Sequence, residues 1–379
     1  MKIRVERDVL AEAVAWAARS LPHRPPMPAL AGLLLVGEPG RVEISAFDFE
    51  VSGRVEVAAD VVDPGRVLVS GRLLADITRS LPAKPVDLGV EGTKVTLSCG
   101  SARFVLATLP LDEYPTLPVM PTSSGSVAGE VFAAAVGQVV VAAGRDDTLP
   151  VMTAVRLEFT EDLLTMAATD RYRLAVRELS WNPEQAGLEA AALVPARTLA
   201  EVAKSLATTE KVTVALSLGT AGDGIIGFEG AGRRTTTRLL DGEFPKYRSL
   251  LPTEASSVAR VDTQVLVEAV RRVALVAERN TPARLTFTDG EVRIEARSGD
   301  DAAGTESVPG SLEGDDIEIA FNPGYLVDGL TALASPVSRL AFTASGKPAL
   351  ISAAGADDHG STIGDGQYQY LLMPVRVSV

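Results

Sequence analysis

Paired aspartates are the residues of this chain that could most directly support catalysis. They occur at Asp146–Asp147, Asp300–Asp301, Asp315–Asp316 and Asp357–Asp358. Two neighbouring carboxylates can hold the metal ions of a hydrolase. All four pairs fall in predicted turns, where the short Asp side chain is favoured by local hydrogen bonding. A metal-dependent hydrolase is therefore the alternative enzymatic interpretation, and a chelator-sensitive hydrolytic activity would support it.

The other residues that usually perform catalysis are sparse. The only two histidines, His23 and His359, lie at opposite ends of the chain, and Cys99 is the single cysteine. That inventory offers no His/Cys metal cluster. The segment 346–348 reads Gly-Lys-Pro and lacks the upstream glycine and the hydroxyl of a phosphate-binding loop. Neither a G-x-S-x-G elbow nor an HExxH helix occurs. The sequence predicts a protein that is not an enzyme and that uses no cofactor or metal.

Three similar phrases provide the framework that would position any functional residue. They read DVLAEAVAWAARSLPHRPPMPAL, EVFAAAVGQVVVAAGRDDTLPVM and TQVLVEAVRRVALVAERNTPARL, and begin near residues 8, 130 and 263. Each has apolar residues at helical spacing, then an arginine (Arg24, Arg145 or Arg279), then a turn containing proline. The period is of domain length, so the sequence predicts three similar domains.

The rest of each repeat predicts the same fold three times. After the first helix come strands joined by a turn, at 42–57, 163–179 and 292–308, and then a strand that leads into a second helix. The alternating segment VTLSCGSARFVLATL is typical of half-buried antiparallel strands. Each domain is therefore expected to be α+β, with two helices on antiparallel sheets.

Composition places the domain boundaries. The segment 115–129 is rich in Pro, Ser and Gly and lacks periodicity, so it is predicted to be a linker, and 252–257 is a shorter one. The predicted domains span 1–120, 126–253 and 254–379.

Charge is distributed unevenly along the chain. The formal net charge is −13, yet the six predicted helical segments together carry +3, which leaves −16 on the remainder. If these helices share one surface, that surface would attract a polyanion inside an acidic shell. Ordinary solvated helix faces would explain the same pattern. The candidate DNA-binding residues are Arg24, Arg72, Arg79, Lys84, Arg145, Arg197, Lys204 and Arg279.

Three further phrases carry a resemblance to a known family. They are TDRYRLAVREL (169–179), LLDGEFPKYRSLLP (239–252) and YLLMPVR (370–376). In this order and spacing they resemble the bacterial DNA polymerase III beta subunit, the sliding clamp. The resemblance covers essentially the whole chain. It implies a homodimer whose six domains form a ring around duplex DNA, independently of base sequence, and which makes the replicative polymerase processive.

The resemblance also implies a peptide-docking pocket. In that family a hydrophobic pocket between the second and third domains binds short motifs of the replicative polymerase subunit, the clamp loader and other replication and repair proteins. The matching positions are Met152, Thr169, Arg171, Tyr172, Arg173, Leu174, Pro245, Ser249, Leu250, Leu371, Leu372, Met373, Pro374, Val375 and Arg376. Arg173 and Arg376 are expected to orient polar peptide groups. The resemblance further implies a subunit contact of Phe104 and Leu106 with Leu275 of the partner subunit.

Two alternatives within the ring interpretation stay open. The chain ends in Val377-Ser378-Val379, and a long polar loop at 353–369 precedes the last strand, so the pocket could be altered. A specialised second clamp, of the kind that confers antibiotic resistance, is one alternative, and a ring used purely as a protein scaffold is the other. The N-terminus lacks a signal-peptide pattern and no run of eighteen apolar residues occurs, so a cytoplasmic protein without a membrane partner is expected.

Overall fold

The computed structural model describes residues 1–219, 223–278, 281–299, 301–355 and 368–375. Its elements follow the three predicted repeats. Those up to residue 127 are β1 Lys2–Val5, α1 Arg7–Ala17, β2 Gly32–Glu38, β3 Arg41–Phe47, β4 Val51–Ala58, β5 Asp60–Asp63, β6 Gly65–Ser70, α2 Gly71–Ser80, β7 Val86–Glu91, β8 Lys94–Cys99, β9 Ala102–Ala107 and β10 Ser123–Val127.

The middle of the chain repeats this pattern. Its elements are α3 Gly129–Val140, β11 Ala154–Thr160, β12 Leu163–Thr169, β13 Arg173–Ser180, β14 Asn182–Pro183, β15 Glu189–Pro195, α4 Ala196–Leu206, β16 Val212–Ser217, β17 Ile225–Gly230 and β18 Arg233–Arg238. The last third contains β19 Ser257–Asp262, α5 Thr263–Val273, β20 Ala283–Thr288, β21 Gly290–Ser298, β22 Ala302–Gly314, β23 Ile317–Phe321, α6 Pro323–Ala332, β24 Val337–Phe342, β25 Ala349–Ala353 and β26 Tyr368–Leu372.

Five short 3₁₀ helices occur among the described residues, at Ala18–Ser20, Pro28–Ala31, Pro150–Thr153, Tyr247–Leu250 and Ala274–Val276. Ala18–Ser20 follows directly on α1, and Ala274–Val276 follows directly on α5. The apolar spacing had predicted a single longer helix at each of these two places. The expected α+β fold, with two helices per repeat, is confirmed. No helix among the described residues is both long and apolar enough to span a membrane.

Compactness divides the chain into two units. The first comprises Met1–Ser126 and Thr209–Leu239, and the second comprises Val127–Thr208 and Leu240–Val379. This division cuts through the predicted central domain because strand pairing joins its parts to different neighbours. β18 pairs with β4 in the first unit, whereas β13 pairs with β26 in the second. The three predicted domain boundaries therefore stay a prediction.

The first unit contains two sheets with helices α1 and α2 packed against each other. One sheet has the order β5-β1-β7-β8-β9, and the neighbours in the other include β10, β16, β17, β18, β4, β3, β2 and β6 in that order. The core alternates along each strand, as in β8, where Val95, Leu97 and Cys99 are buried. The Cys99 thiol donates to the carbonyl oxygens of Pro82 and Lys84, at 3.3 and 3.2 Å, so this cysteine is a core residue.

In the second unit, twelve strands form one antiparallel sheet in the order β15-β11-β12-β13-β26-β25-β24-β19-β22-β21-β20-β23. Helices pack in the pairs α3 with α4 and α5 with α6. Side-chain caps begin two of them: Asp262 Oδ1 accepts from Val265 N at 2.9 Å, and Asn322 Oδ1 accepts from Tyr325 N at 3.1 Å. Both caps fix the start of a helix in the last third of the chain.

Candidate functional site

A rigid turn at residues 169–173 organises the candidate pocket in the second unit. Asp170 Oδ1 accepts hydrogen bonds from the backbone N–H groups of Tyr172 and Arg173, at 3.0 and 3.1 Å. Thr169 Oγ1 accepts from Arg171 N at 3.1 Å and donates to Arg173 O at 2.7 Å. Arg171 has a φ of +78°, a left-handed conformation that side-chain-bearing residues rarely adopt. The turn therefore projects Arg171 and Tyr172 outward on a fixed backbone.

Arg173 forms the buried centre of this region. Its Nε donates to Asp170 Oδ2 at 3.0 Å, its Nη1 donates to Asp328 Oδ2 at 2.6 Å, and its guanidinium lies 4.2 Å from the Tyr325 ring centroid. Burial lowers the pKa of Arg173, but the Tyr370 hydroxyl and the two carboxylates outweigh burial, so the pKa is raised. Only 6% of the side chain is exposed. Arg173 therefore ties the turn to α6, and the expectation that it orients peptide groups stays a prediction.

Strand β26 lies beside the turn. Leu371 is opposite Leu174 and Leu372 is opposite Arg173 in the antiparallel register. All three leucines are buried, with exposures of 3% or less, whereas Met373 is 42% exposed. Beyond the strand, Met373 N donates to Tyr172 O at 2.9 Å, which continues the pairing by one residue. Leu174, Leu371 and Leu372 are thus buried beneath the candidate pocket surface. A charged substitution of Leu174 would therefore test folding rather than binding.

The segment 244–251 is anchored by a carboxylate. Tyr247 Oη donates to Glu158 Oε2 at 3.0 Å, and Arg248 forms an ion pair with the same oxygen. Burial raises the pKa of Glu158, but the hydrogen bonds from Arg156 and Tyr247 and the charge of Arg248 outweigh it, so the pKa is lowered. The buried rings of Phe244 and Tyr247 meet edge to face at 6.0 Å. The anchored segment leaves Leu250 54% exposed.

The predicted pocket residues thus fall into two groups. Those that are buried are Thr169, Arg173, Leu174, Leu371 and Leu372, and those that are partly or fully exposed are Met152, Arg171, Tyr172, Pro245, Ser249, Leu250, Met373, Pro374 and Val375. Arg376 lies outside the described residues. The exposed group supplies the surface that a ligand could touch, and the buried group holds that surface in place.

A cavity of about 690 Å³ opens next to the turn. Met152, Arg171 and Tyr172 line it, and so does Arg145, which the sequence had assigned to DNA. The lining residues that the sequence analysis missed include Asn322, Tyr325 and Asp328. Asn322 caps the start of α6, and Tyr325 and Asp328 follow on the helix at intervals of three residues, so all three lie on one side. This spacing is the sequence signal that could have identified them. Tyr325 lies 6.4 Å from Tyr172, centroid to centroid.

The candidate DNA-binding cations are exposed wherever the structure describes them. They are Arg24, Arg72, Arg79, Lys84, Arg145, Arg197 and Lys204, while Arg279 lies outside the described residues. Arg72 donates to Pro22 O at 3.1 Å and Arg79 lies 3.7 Å from Asp76, so both are partly engaged within the first unit. Helix α6 carries no cation, and its Asp328 is paired with Arg173. The basic character therefore resides on the other helices and their flanks.

Strand β9 and part of strand β22 each have an unpaired edge among the described residues. β9 ends its sheet, with β8 as its only neighbour. In β22, residues 302–309 pair only with β21, because β19 pairs with the part from Gly310 onward. Phe104 and Val105 are exposed on β9, and Leu275 is 84% exposed next to β22 in the chain fold. Leu106 is 4% exposed and belongs to the core, whereas its neighbour Val105 is exposed, so the subunit contact predicted for Leu106 stays a prediction.

The paired aspartates do not form a metal site where the structure describes them. Asp146 Oδ1 accepts from the backbone and the hydroxyl of Thr148, which lower the pKa of Asp146. No group of three or more His, Cys, Asp or Glu side chains that could hold a metal occurs within the described ranges. Asp300 and Asp357–Asp358 lie outside those ranges. The bonds of Asp146 are those of an ordinary turn residue.

Repeated domains, strand junctions and exposed helix cations together define a clamp-type protein, and comparison with known families identifies which one. Models of the DNA polymerase III beta subunit match in three parts: the N-terminal domain at 1–118, the central domain at 126–246 and the C-terminal domain at 248–367. The chain belongs to the DNA polymerase III beta subunit family, the bacterial sliding clamps. The resemblance inferred from the sequence is confirmed, and the family is a processivity factor, not an enzyme.

Individual relatives agree with this assignment. The beta sliding clamp of Streptomyces coelicolor is 61% identical over 378 residues, covering 100% of both chains. A beta sliding clamp homolog named GriR, from Streptomyces muensis, is 46% identical over 377 residues and 99% of both chains. Among solved structures, the Pseudomonas aeruginosa clamp bound to griselimycin has a TM-score of 0.91 at 27% identity, with 100% of both chains covered.

Proposed function

We propose that this chain works as a DNA sliding clamp, a homodimeric ring that encircles duplex DNA and keeps the replicative polymerase attached. A ring retains DNA by enclosing it, so a deep binding energy is not required and the protein can move along the duplex. Contacts to phosphates, which carry no base information, suit that task. The chain itself performs no chemistry in this role.

The observation that carries the proposal is a strand junction that recurs along the chain. β4 pairs with β18 and β13 pairs with β26, each immediately after a turn of the same kind. The third strand of this type, β22, has an unpaired edge over residues 302–309, and β9 is the matching last strand of the first repeat. A second copy of the chain could complete the third junction by pairing its β9 with β22. Such a head-to-tail contact closes a ring when the rotation is right.

Exposed apolar residues support the same closure. Phe104 and Val105 project from β9, and Leu275 projects from the 3₁₀ turn after α5, which contacts β22. When the two edges meet, burying their apolar side chains stabilises the contact by about 25 cal/mol per Å² of apolar surface. We infer that Phe104, Val105 and Leu275 form the subunit contact.

DNA binding is assigned to the exposed cations Arg24, Arg72, Arg79, Lys84, Arg145, Arg197 and Lys204, and also to Arg279 on the basis of its place in the sequence repeat. Phosphate neutralisation by such residues is independent of base sequence and weakens as salt rises. The acidic remainder of the chain would disfavour DNA elsewhere on the protein. These features fit a ring that holds DNA loosely.

Partner peptides are proposed to dock on the exposed surface of the second unit around Tyr172, Leu250, Met373 and Val375, with Arg376 as implied by the family resemblance. Apolar residues at this surface can bury two or three partner side chains, at about 1.5–3 kcal/mol each before ordering costs. The affinity would then be modest, which suits partners that exchange. The replicative polymerase subunit and the clamp loader are the expected partners.

We further propose that the three domains have the boundaries 1–120, 126–253 and 254–379, and that the protein acts in the cytoplasm, where its DNA and its partners are. Higher identity to the Streptomyces coelicolor clamp than to GriR, 61% against 46%, favours the replicative clamp over a specialised second clamp. A specialised second clamp of the antibiotic-resistance kind should differ in its affinity for a clamp-binding antibiotic, so measuring that affinity would separate the two.

Light scattering tests the ring first. The expected mass is about 79 kDa, twice the 39.7 kDa chain. Leu275→Asp should shift this to the monomer mass at micromolar concentration, because a carboxylate would be buried in an apolar contact. Val62→Asp, at a 68% exposed position of another edge strand, is the matched control and should remain dimeric.

Retention on DNA completes the test. The wild-type protein, once loaded, should remain on nicked circular DNA and slide off after linearisation, and raising salt should shorten retention. A protein that is monomeric, or that stays equally long on linear and circular DNA, would contradict the proposal and favour the scaffold alternative.

A further inference from the structure

We propose that the first unit contains a second docking site, at the junction of β4 and β18, for a short peptide with an apolar side chain next to a carboxylate. The site uses none of the residues assigned to the pocket of the second unit. It therefore goes beyond the proposed function, although the pocket of the second unit is the precedent for its architecture.

The backbone of the two junctions is the same. In the first unit Asp48 Oδ1 accepts from Glu50 N and Val51 N, at 2.9 and 2.6 Å, just as Asp170 does from Tyr172 and Arg173. Phe49 has a φ of +78°, identical to that of Arg171. The pairing continues one residue beyond Thr237 and Val51, because Arg238 N, at the end of β18, donates to Glu50 O at 3.0 Å. Arg238 thus occupies the position that Met373 has in the second unit.

The conformation and exposure of Phe49 indicate a binding site. The left-handed region is disfavoured for a bulky residue, and such strain tends to persist at functional sites. Phe49 is 42% exposed, whereas Phe47 is buried. The centroids of the two rings are 5.6 Å apart. The backbone of Phe49 is held by Arg238, whose Nε donates to Phe49 O at 3.1 Å. The strain therefore serves to present an aromatic face, not to bury it.

The surroundings of Phe49 fix the chemistry of the occupant. A small cavity of about 40 Å³ lies between Phe47, Phe49, Pro118, Ile225 and the Thr236–Arg238 strand end. It has room for the tip of one aliphatic side chain, and Val119, the residue after Pro118 in the sequence, is 85% exposed. Arg238 is exposed and cationic, and Glu50, also exposed, lines the same cavity. A ligand carboxylate would be attracted by Arg238 and opposed by Glu50.

Fluorine NMR on a chain with Phe49→4-fluorophenylalanine tests the proposal. Met373→Asp is added to disable the pocket of the second unit. The probe is the peptide Ac-Ser-Asp-Leu-Phe-Ser-NH₂, with Asn in place of Asp as its control. The expected result is a saturable shift with a dissociation constant on the order of 1 mM, since the buried surface is small. The Asn peptide and Arg238→Gln should each weaken binding about fivefold, and Glu50→Gln should strengthen it.

The outcomes separate this site from the one proposed for the second unit. A parallel chain with Tyr172→4-fluorophenylalanine and wild-type Met373 reports on that unit. Saturation at position 172 but none at position 49 overturns the second site and leaves the proposed function intact. Equal shifts with the Asp and Asn peptides, or a shift that appears on raising protein concentration without peptide, would also overturn it. The last result would mean that another copy of the chain covers Phe49.

Discussion

The junctions β4–β18 and β13–β26 have the same turn and the same register but bury different side chains. In the first unit Ser52 lies opposite Thr236, and their hydroxyls are 2.6 Å apart. At the matching place in the second unit Leu174 lies opposite Leu371, and Arg173 replaces Val51. One backbone frame thus supports a small threonine-lined junction and a larger one with a buried cation. What an assembly of this kind can bind is set by side chains at a few fixed positions.

Removing the buried cation should produce the largest difference between the two units. Arg173→Met leaves Asp170 and Asp328 without their shared partner, and we expect the second unit to lose about 2–4 kcal/mol of unfolding free energy. Urea unfolding followed by Trp181 fluorescence, in a Trp16→Phe background, measures this. The matched change Val51→Met, with Trp16 as reporter, should cost less than about 0.5 kcal/mol. Equal losses would mean that the Arg173 cluster is not structural.

Changing Met373, the exposed residue after β26, should affect peptide binding without affecting stability. Met373→Asp places a carboxylate on an apolar docking surface, so the dissociation constant for the replicative polymerase subunit should rise at least about tenfold. Surface plasmon resonance with the dimeric clamp measures it. Val62→Asp controls for added charge and should leave the affinity unchanged. Unaltered binding by Met373→Asp would remove this surface from the docking site.

The left-handed position of each turn should respond identically in both units. We expect Phe49→Gly to be more stable than Phe49→Ala by about 1 kcal/mol, and Arg171→Gly to exceed Arg171→Ala by a similar amount. Comparing glycine with alanine removes the effect of the lost side chain. Thermal unfolding of the four variants is the measurement. A difference in one unit only would show that the two turns do not share one backbone conformation in solution.

Acidification should affect the two units with opposite sign, and this is the smallest expected effect. The pKa of Glu158 is held below its usual 4.5, so its stabilisation is present above that value and is lost as pH falls. Burial raises the pKa of Glu43 above 4.5, so its contribution favours folding at low pH and declines as pH rises through the raised pKa. Trp181 and Trp16 fluorescence report the units separately. Glu158→Gln and Glu43→Gln should each flatten the dependence in their own unit.

Periodicity predicted the helices and the turns well because both are local. The apolar spacing of the three opening phrases identified α1, α3 and α5, and TDRYRL was correctly placed between two strands. Orientation within apolar runs was less predictable. In YLLMPV every residue is apolar or neutral, so the sequence could not show that Leu371 and Leu372 face inward while Met373 faces out. Likewise Leu106 was chosen where Val105 is exposed.

Long-range partners were beyond any local pattern. The resemblance of TDRYRL to the family motif assigned Arg173 to the pocket, as a residue that orients polar peptide groups. Its actual partner Asp328 is 155 residues away and belongs to a helix that offered no recognisable motif. Only the pairing of β13 with β26 brings the neighbouring Tyr370 and α6 to the turn. Partners that are distant in sequence, such as Asp328, can be identified only from the three-dimensional structure.

The unpaired edges of β9 and β22 have a consequence for assembly failure. Complementary open strand edges on one molecule are a template for unlimited addition, and the angle between successive units decides whether the chain of copies closes. A substitution that altered that angle, without weakening the contact, would convert a closed pair into a growing fibre. If β9 and β22 join the two subunits as proposed, closure protects the protein from polymerising through the same two edges.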